Sequence, residues 1–358
     1  MTFLRRAAPV AVAAVLLVAS AAAGPTGPAR QVRQTQGFIE SLAIDGSLIA
    51  FDVEGTQPRG PACNRVYGWN VATHRSGRVS GRGTCDADSS STGAGVPELA
   101  VARSRIAWIT NIGGNTESVD RLYTSSFPPR GERRLAAAMR TGDIDCVLVG
   151  RALGGLVASG SLLAYNLWRI DAANPGDEQS CAEKRTSGAL RRIEKSGTSL
   201  IRSGLDTLTA ADADAGRIAA AHDDGTVELF SSAGTPLQTI GVEAPKQVAL
   251  AGRSLVVLTT TKRIQVYSVT TGKPGPGRAL PGGSDHLDAA AGAAAYAVGP
   301  KLHLFRLATG KDTVVATAPK PIAGVAISSR AIVYAYNVFK RRGSSYREIG
   351  NVVVIPRS

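Results

Sequence analysis

Seven times along this chain a Gly or Ser, usually with a second small or basic residue, opens a run of apolar side chains. Gly46-Ser47-Leu48-Ile49-Ala50-Phe51, Gly160-Ser161-Leu162-Leu163-Ala164-Tyr165 and Ser329-Arg330-Ala331-Ile332-Val333-Tyr334 are three of the copies. The first apolar anchors of the seven are Leu48, Ile106, Leu162, Ile218, Leu255, Ala294 and Ile332, at steps of 58, 56, 56, 37, 39 and 38 residues. A strand-built period near forty is the signature of sheets that cannot cover their apolar faces alone and stack around an axis. The expected fold is therefore all-β: a seven-bladed β-propeller of four-stranded antiparallel blades.

A second phrase follows the first and alternates apolar with polar residues, as a strand with one covered and one wetter face does. Ile264-Gln265-Val266-Tyr267-Ser268-Val269 runs into Thr271-Gly272-Lys273, and Leu302-His303-Leu304-Phe305-Arg306-Leu307 into Thr309-Gly310-Lys311. Gly in these tails supplies the positive φ of a tight turn. Asp224-Gly225-Thr226-Val227-Glu228-Leu229-Phe230 resembles the third strand of WD40-like repeats, and the chain is similar in the same way to TolB-like and quinoprotein-like bacterial propellers. The Gly-His and Trp-Asp dipeptides of true WD40 repeats are missing, so the resemblance implies an architecture and no particular activity.

These phrases place the blades at 40–80, 98–135, 145–201, 208–240, 247–280, 287–317 and 322–356. The last is one strand short. Residues 31–39 are expected to supply that strand, clasping the ring shut and removing its free edges. The first three blades are longer than the next three, and the excess reads as hydrophilic loops.

Residues 1–23 read as a signal peptide: Arg5 and Arg6, an apolar run from Ala7 to Ala23, and small residues before Gly24. Residues 24–30 read as a linker and 31–358 as the propeller. Retention of residues 1–23 as an anchor is the alternative; the short Ala-rich run favours cleavage. No later stretch is long and apolar enough to span a bilayer, so the expected location is secreted, periplasmic or cell-envelope. In that oxidising setting Cys63, Cys85, Cys146 and Cys181 are expected to form disulfides. Three pairings are open; Cys63–Cys85 with Cys146–Cys181 closes the shortest loops.

Formal charge is +13, and loss of Arg5 and Arg6 with the leader leaves +11. A basic exported protein suits a polyanionic polymer or an acidic envelope protein. Scattered cations with little aromatic interleaving do not point to specific nucleic-acid recognition. Lys340, Arg341 and Arg342, in a loop between the second and third strands of blade seven, are the candidate binding residues; Arg133-Arg134 and Arg191-Arg192 could join them in a basic rim at one end.

No catalytic or metal constellation stands out. His74, His222, His286 and His303 lack a metal-ligand spacing, and the Gly-x-Ser-x-Gly elbow is absent. Asp212 with Asp214, and Asp143 with Asp145, read as hydrophilic connectors before a first strand; a cation would need more converging oxygens. Trp69, Trp108 and Trp168 read as core rather than as a cofactor platform. The expectation is a monomeric, non-catalytic, cofactor-free binding propeller. Its rivals are a hydrolase or lyase with carboxylates at the central channel, and a structural scaffold in an envelope assembly.

Overall fold

A computed structural model describes residues 30–55, 64–81, 93–114, 116–142, 149–172, 183–282, 284, 286–343 and 345–357. They form 28 strands in seven antiparallel groups of four. In each group the first strand is innermost and the chain steps outward strand by strand. The fourth strand of the last group is the first of the chain: Gln31–Gln34 pairs with Ser345–Pro356, Gln31 opposite Val354 and Gln34 opposite Asn351. The expected N-terminal clasp is therefore present.

Burial grades from the axis outward. Second strands are covered on both faces and so read as unbroken apolar runs. Leu48–Val53 is buried throughout, and Arg217–His222 and Ser254–Thr259 are buried after their first residue. Outermost strands face solvent; Pro274–Ala279 is exposed almost throughout. Seven separate apolar clusters fill the spaces between sheets, each drawing residues from two adjacent blades. Seven sheets in an open row would share six such spaces. The seventh joins Ile49, Phe51 and Trp69 of blade one to Val333, Val352 and Val354 of blade seven. There Ser328 Oγ also donates to Gly46 O at 2.9 Å.

Turns between first and second strands are two residues long in six blades and three in the seventh. Gly252, at φ +61°, opens one of them, a backbone angle that an L side chain resists. These turns, with those between third and fourth strands, make one flat end of the disc. The other end holds the second-to-third turns and the blade-to-blade crossings. It is raised, for a reason that revises the sequence reading. The extra length of blades two and three lies largely in longer strands, such as Arg105–Gly113 and Leu162–Ala172. Blade seven has the longest, Ala331–Arg342 and Ser345–Pro356, of 12 residues against 6 for the second and third strands of blades four to six. Six extra residues at ~3.3 Å each lift that hairpin by about 20 Å. Blade two also runs further than expected, its fourth strand being Arg133–Thr141. Thr141 and Arg140 pair with Val149 and Gly150, fusing blades two and three into one eight-stranded sheet at the raised end.

Starting the chain at Gly37, without the clasp, bares the edge of Ser345–Pro356. The expected result is a melting temperature lower by about 5 °C or more and concentration-dependent oligomers. Calorimetry and size-exclusion chromatography check both.

Candidate functional site

Two places on the disc gather chemistry: the central opening and the raised hairpin of blade seven.

The opening is lined by the innermost strands and holds a cavity of about 280 Å³ bordered by Asp45, Asp212, Asp214 and Asp288. Asp212 and Asp214 belong to the strand Leu208–Asp214, so they are not connector residues as the sequence suggested. An innermost strand has no strand beyond it, and its inward N–H groups need another acceptor. The acids supply it across blade boundaries, both to innermost strands and to the turns that follow them. Asp45 of blade one accepts from Arg103 N of blade two at 2.5 Å. Glu98 of blade two accepts from Gly155 N and Leu156 N of blade three, at 2.9 and 2.7 Å. Asp212 and Asp214 of blade four accept from Leu250 N and Gly252 N of blade five, each at 2.6 Å. Asp288 of blade six accepts from Ile327 N of blade seven at 2.7 Å.

Burial raises several of these carboxyls. Asp288 is pushed from 3.8 to about 7, first by loss of water and then by the charge of Asp214. Asp212 is pushed well above its ordinary value by burial and by Asp288, and Glu98 upward by burial and Asp120. Carboxylates from several blades thus do converge on the channel, as a channel-centred hydrolase or lyase would require. Each accepts a backbone N–H from the next blade, an arrangement that fastens blades together. Among the described residues no group of three or more His, Cys, Asp or Glu side chains could hold a metal ion. Asp143 and Asp145 lie outside the described residues.

The raised hairpin carries the sequence-predicted cations. They do not sit in a loop: Lys340, Arg341 and Arg342 end the strand Ala331–Arg342, opposite Arg347, Tyr346 and Ser345. Strand pairing holds the backbone straight and projects alternate side chains to opposite faces. Lys340, Arg341 and Arg347 border a cleft of about 600 Å³ with Gln34, Thr35, Gln36 and Ile349. Phe339 and Tyr346 are exposed at 63% and 69%, and Phe339 meets Phe38 edge-on at 4.9 Å. The sequence reading missed Arg347, the two aromatics and the clasp residues 34–36. Cross-strand register between Ala331–Arg342 and Ser345–Pro356 brings them beside Lys340 and Arg341.

The other basic doublets do not join this rim. Arg133 and Arg134 start the outermost strand of blade two, and Arg191 and Arg192 near the end of Glu183–Ile193, both at the flat end. Arg192 Nη2 is spent on Ser232 O of the next blade at 2.5 Å. His222 Nδ1 pairs with Thr207 Oγ1 at 2.8 Å, and His303 Nδ1 with Asp312 at 3.0 Å beneath the ring of Tyr296. Trp69 and Trp108 are core residues, and Trp168 lies under the Arg185 guanidinium at 4.6 Å. Cys63, Cys85, Cys146 and Cys181 lie outside the described residues, as do residues 1–23, which the sequence suggests are a signal peptide. Among the described residues no helix is long and apolar enough to cross a membrane.

Solved structures with this arrangement are propellers. The chain matches U3-55K at a TM-score of 0.54 and 16% identity, over 93% of this chain and 100% of that one. It matches the WD40 repeats of RRP9 at 0.54 and 16%, over 92% and 97%. A chain of the mitotic checkpoint complex matches at 0.50 and 13%, over 95% and 98%. At such identities the likeness is one of fold, and the resemblance to WD40-like propellers stands as architecture. No protein-family model and no curated protein sequence matches the chain.

The raised pKa of Asp288 fixes a sign. The folded chain holds a proton there that the unfolded chain releases between about pH 4 and about pH 7, so this stabilisation is present below that window and lost above it. Asp288→Asn keeps the acceptor for Ile327 N and removes the titration. Its melting temperature is expected to fall less than that of the parent between about pH 5 and about pH 8. Asp288→Ala, which leaves that N–H unpaired, should be less stable than the Asn variant by about 1–2 kcal/mol. Denaturant melts at both pH values check the pair.

Proposed function

We propose that this propeller is an exported, non-catalytic binding module that holds an anionic partner, an envelope protein or polymer, against its raised end. The observation that carries the reading is the convergence of Lys340, Arg341 and Arg347 on one cleft, beside the exposed rings of Phe339 and Tyr346. Lys340 and Arg347 face each other across the strand pair with Arg341 next in the strand, and three like charges on one hairpin cost self-repulsion unless an anion neutralises them. Exposed aromatics beside cations are typical of contact surfaces. Export rests on residues 1–23, and the pairs Cys63–Cys85 and Cys146–Cys181 belong to the same reading. Disc-shaped propellers serve binding and catalysis alike, so the site has to carry the function. Here the channel acids are engaged between blades, while the hairpin cations face an open cleft.

Lys340→Glu with Arg341→Glu is expected to weaken retention on immobilised polyglutamate about tenfold, at two charges of roughly 0.5–1 kcal/mol each. Retention at unchanged salt would overturn the reading. N-terminal sequencing of the protein recovered from its native host tests cleavage after residue 23.

A further inference from the structure

The hairpin uses only part of the positive charge, and the flat end holds a separate share. In blades five, six and seven its turns present Arg253, Lys273, Lys311 and Arg330, with Arg306 ending a strand beside them. All five are exposed. Their side chains make no hydrogen bond or ion pair among the described residues. The same turns contain no Asp or Glu. At this end Asp45, Glu132, Glu194 and Asp214 stand outside these turns, Asp45 and Asp214 bound to N–H groups of the next blade, and Asp312, next to Lys311, is buried against Arg278 and His303.

Shape narrows what such a sector can meet. All of these turns are short, two or three residues between first and second strands and five between third and fourth, so the cations lie near one plane. A planar anionic surface brings all of them within a Debye length, about 10 Å at 0.1 M salt. A nucleic-acid duplex, being a narrow cylinder, would touch one line of turns and leave the rest beyond screening range. The large exposed apolar side chains, such as Phe339, Tyr346, Leu200 and Val314, all lie outside these turns, so neither base stacking nor insertion into hydrocarbon is offered here. A third observation is positional. The clasp strand Gln31–Gln34 starts opposite Val354, beside the end of the last strand, so the chain enters the disc from its flat end.

We propose that the flat end, through the blade five-to-seven sector, is a docking face for an anionic lipid bilayer. The raised end then points away from the membrane, leaving the hairpin free for a second partner. Attraction of this kind contributes about fivefold in binding per Lys or Arg held at the surface and is lost at high salt.

The test is co-sedimentation of the full chain with phosphatidylcholine vesicles, with and without phosphatidylglycerol, at low and high salt. Binding is expected to rise with phosphatidylglycerol, to vanish at high salt, and to fall more than tenfold in Arg253→Glu/Lys273→Glu/Lys311→Glu/Arg330→Glu. Those positions are solvent-facing turn residues, and an unchanged melting curve verifies the fold. Lys340→Glu with Arg341→Glu should leave vesicle binding unaltered, which separates this face from the hairpin reading. Equal binding to both vesicle types would show insertion of the apolar leader alone and overturn the proposal. So would loss of vesicle binding in the hairpin variant, or binding of duplex DNA in place of vesicles.

Discussion

The second strand of each blade is apolar on both faces, and everything else in the disc answers to that. Such a strand needs a sheet on either side. In a finite row the two end sheets would each leave one face wet. Closing the row removes both exposed faces at once. The cluster that joins Ile49 and Phe51 to Val333 and Val354 is therefore the last in position and equal in kind to the other six. It also explains why the clasp lies at the junction of first and last blades, where the chain would otherwise have a loose edge.

Crowding at the axis sets a second demand. Small side chains let seven inner strands approach, which is why Ala recurs along them, at Ala43, Ala100, Ala158, Ala249 and Ala326. Close approach leaves inward N–H groups short of water. The carboxylates of Asp45, Glu98, Asp212, Asp214 and Asp288 meet that need by reaching to the neighbouring blade. Burying a carboxylate is costly, and the raised pKa of Asp288 shows the cost. The inter-blade hydrogen bonds offset it. Acids at the centre of the ring are thus explained by structure, and the exposed cations at its two ends are left to meet other molecules.

Much of the architecture was legible along the chain. The apolar runs after Gly or Ser mark second strands, the alternating phrases mark third strands, and blades six and seven begin and end at the expected residues, 287–317 and 322–356. Blade two was drawn too short because Arg133-Arg134 and the Ala run after them look like a loop and carry no strand alternation. They form a strand because the long third strand Glu117–Ser126 offers them a partner edge. Asp212 was read as a connector because an isolated acid in sequence looks solvated. Its acceptor role exists only once Leu250 N is 2.6 Å away.

Local chemistry and periodicity determined the class of the fold, the number of blades, the clasp and the basic balance, since each depends on the order of residues within one repeat. Which cations share a surface was decided by the tertiary structure. Strands alternate in direction, so neighbours in sequence such as Arg330 and Lys340 emerge on opposite ends of the disc, while Arg253 and Arg330, far apart along the chain, stand on the same one. A one-dimensional reading counts charges; the closed ring assigns each to an end, because closure fixes the direction of every strand about a single axis.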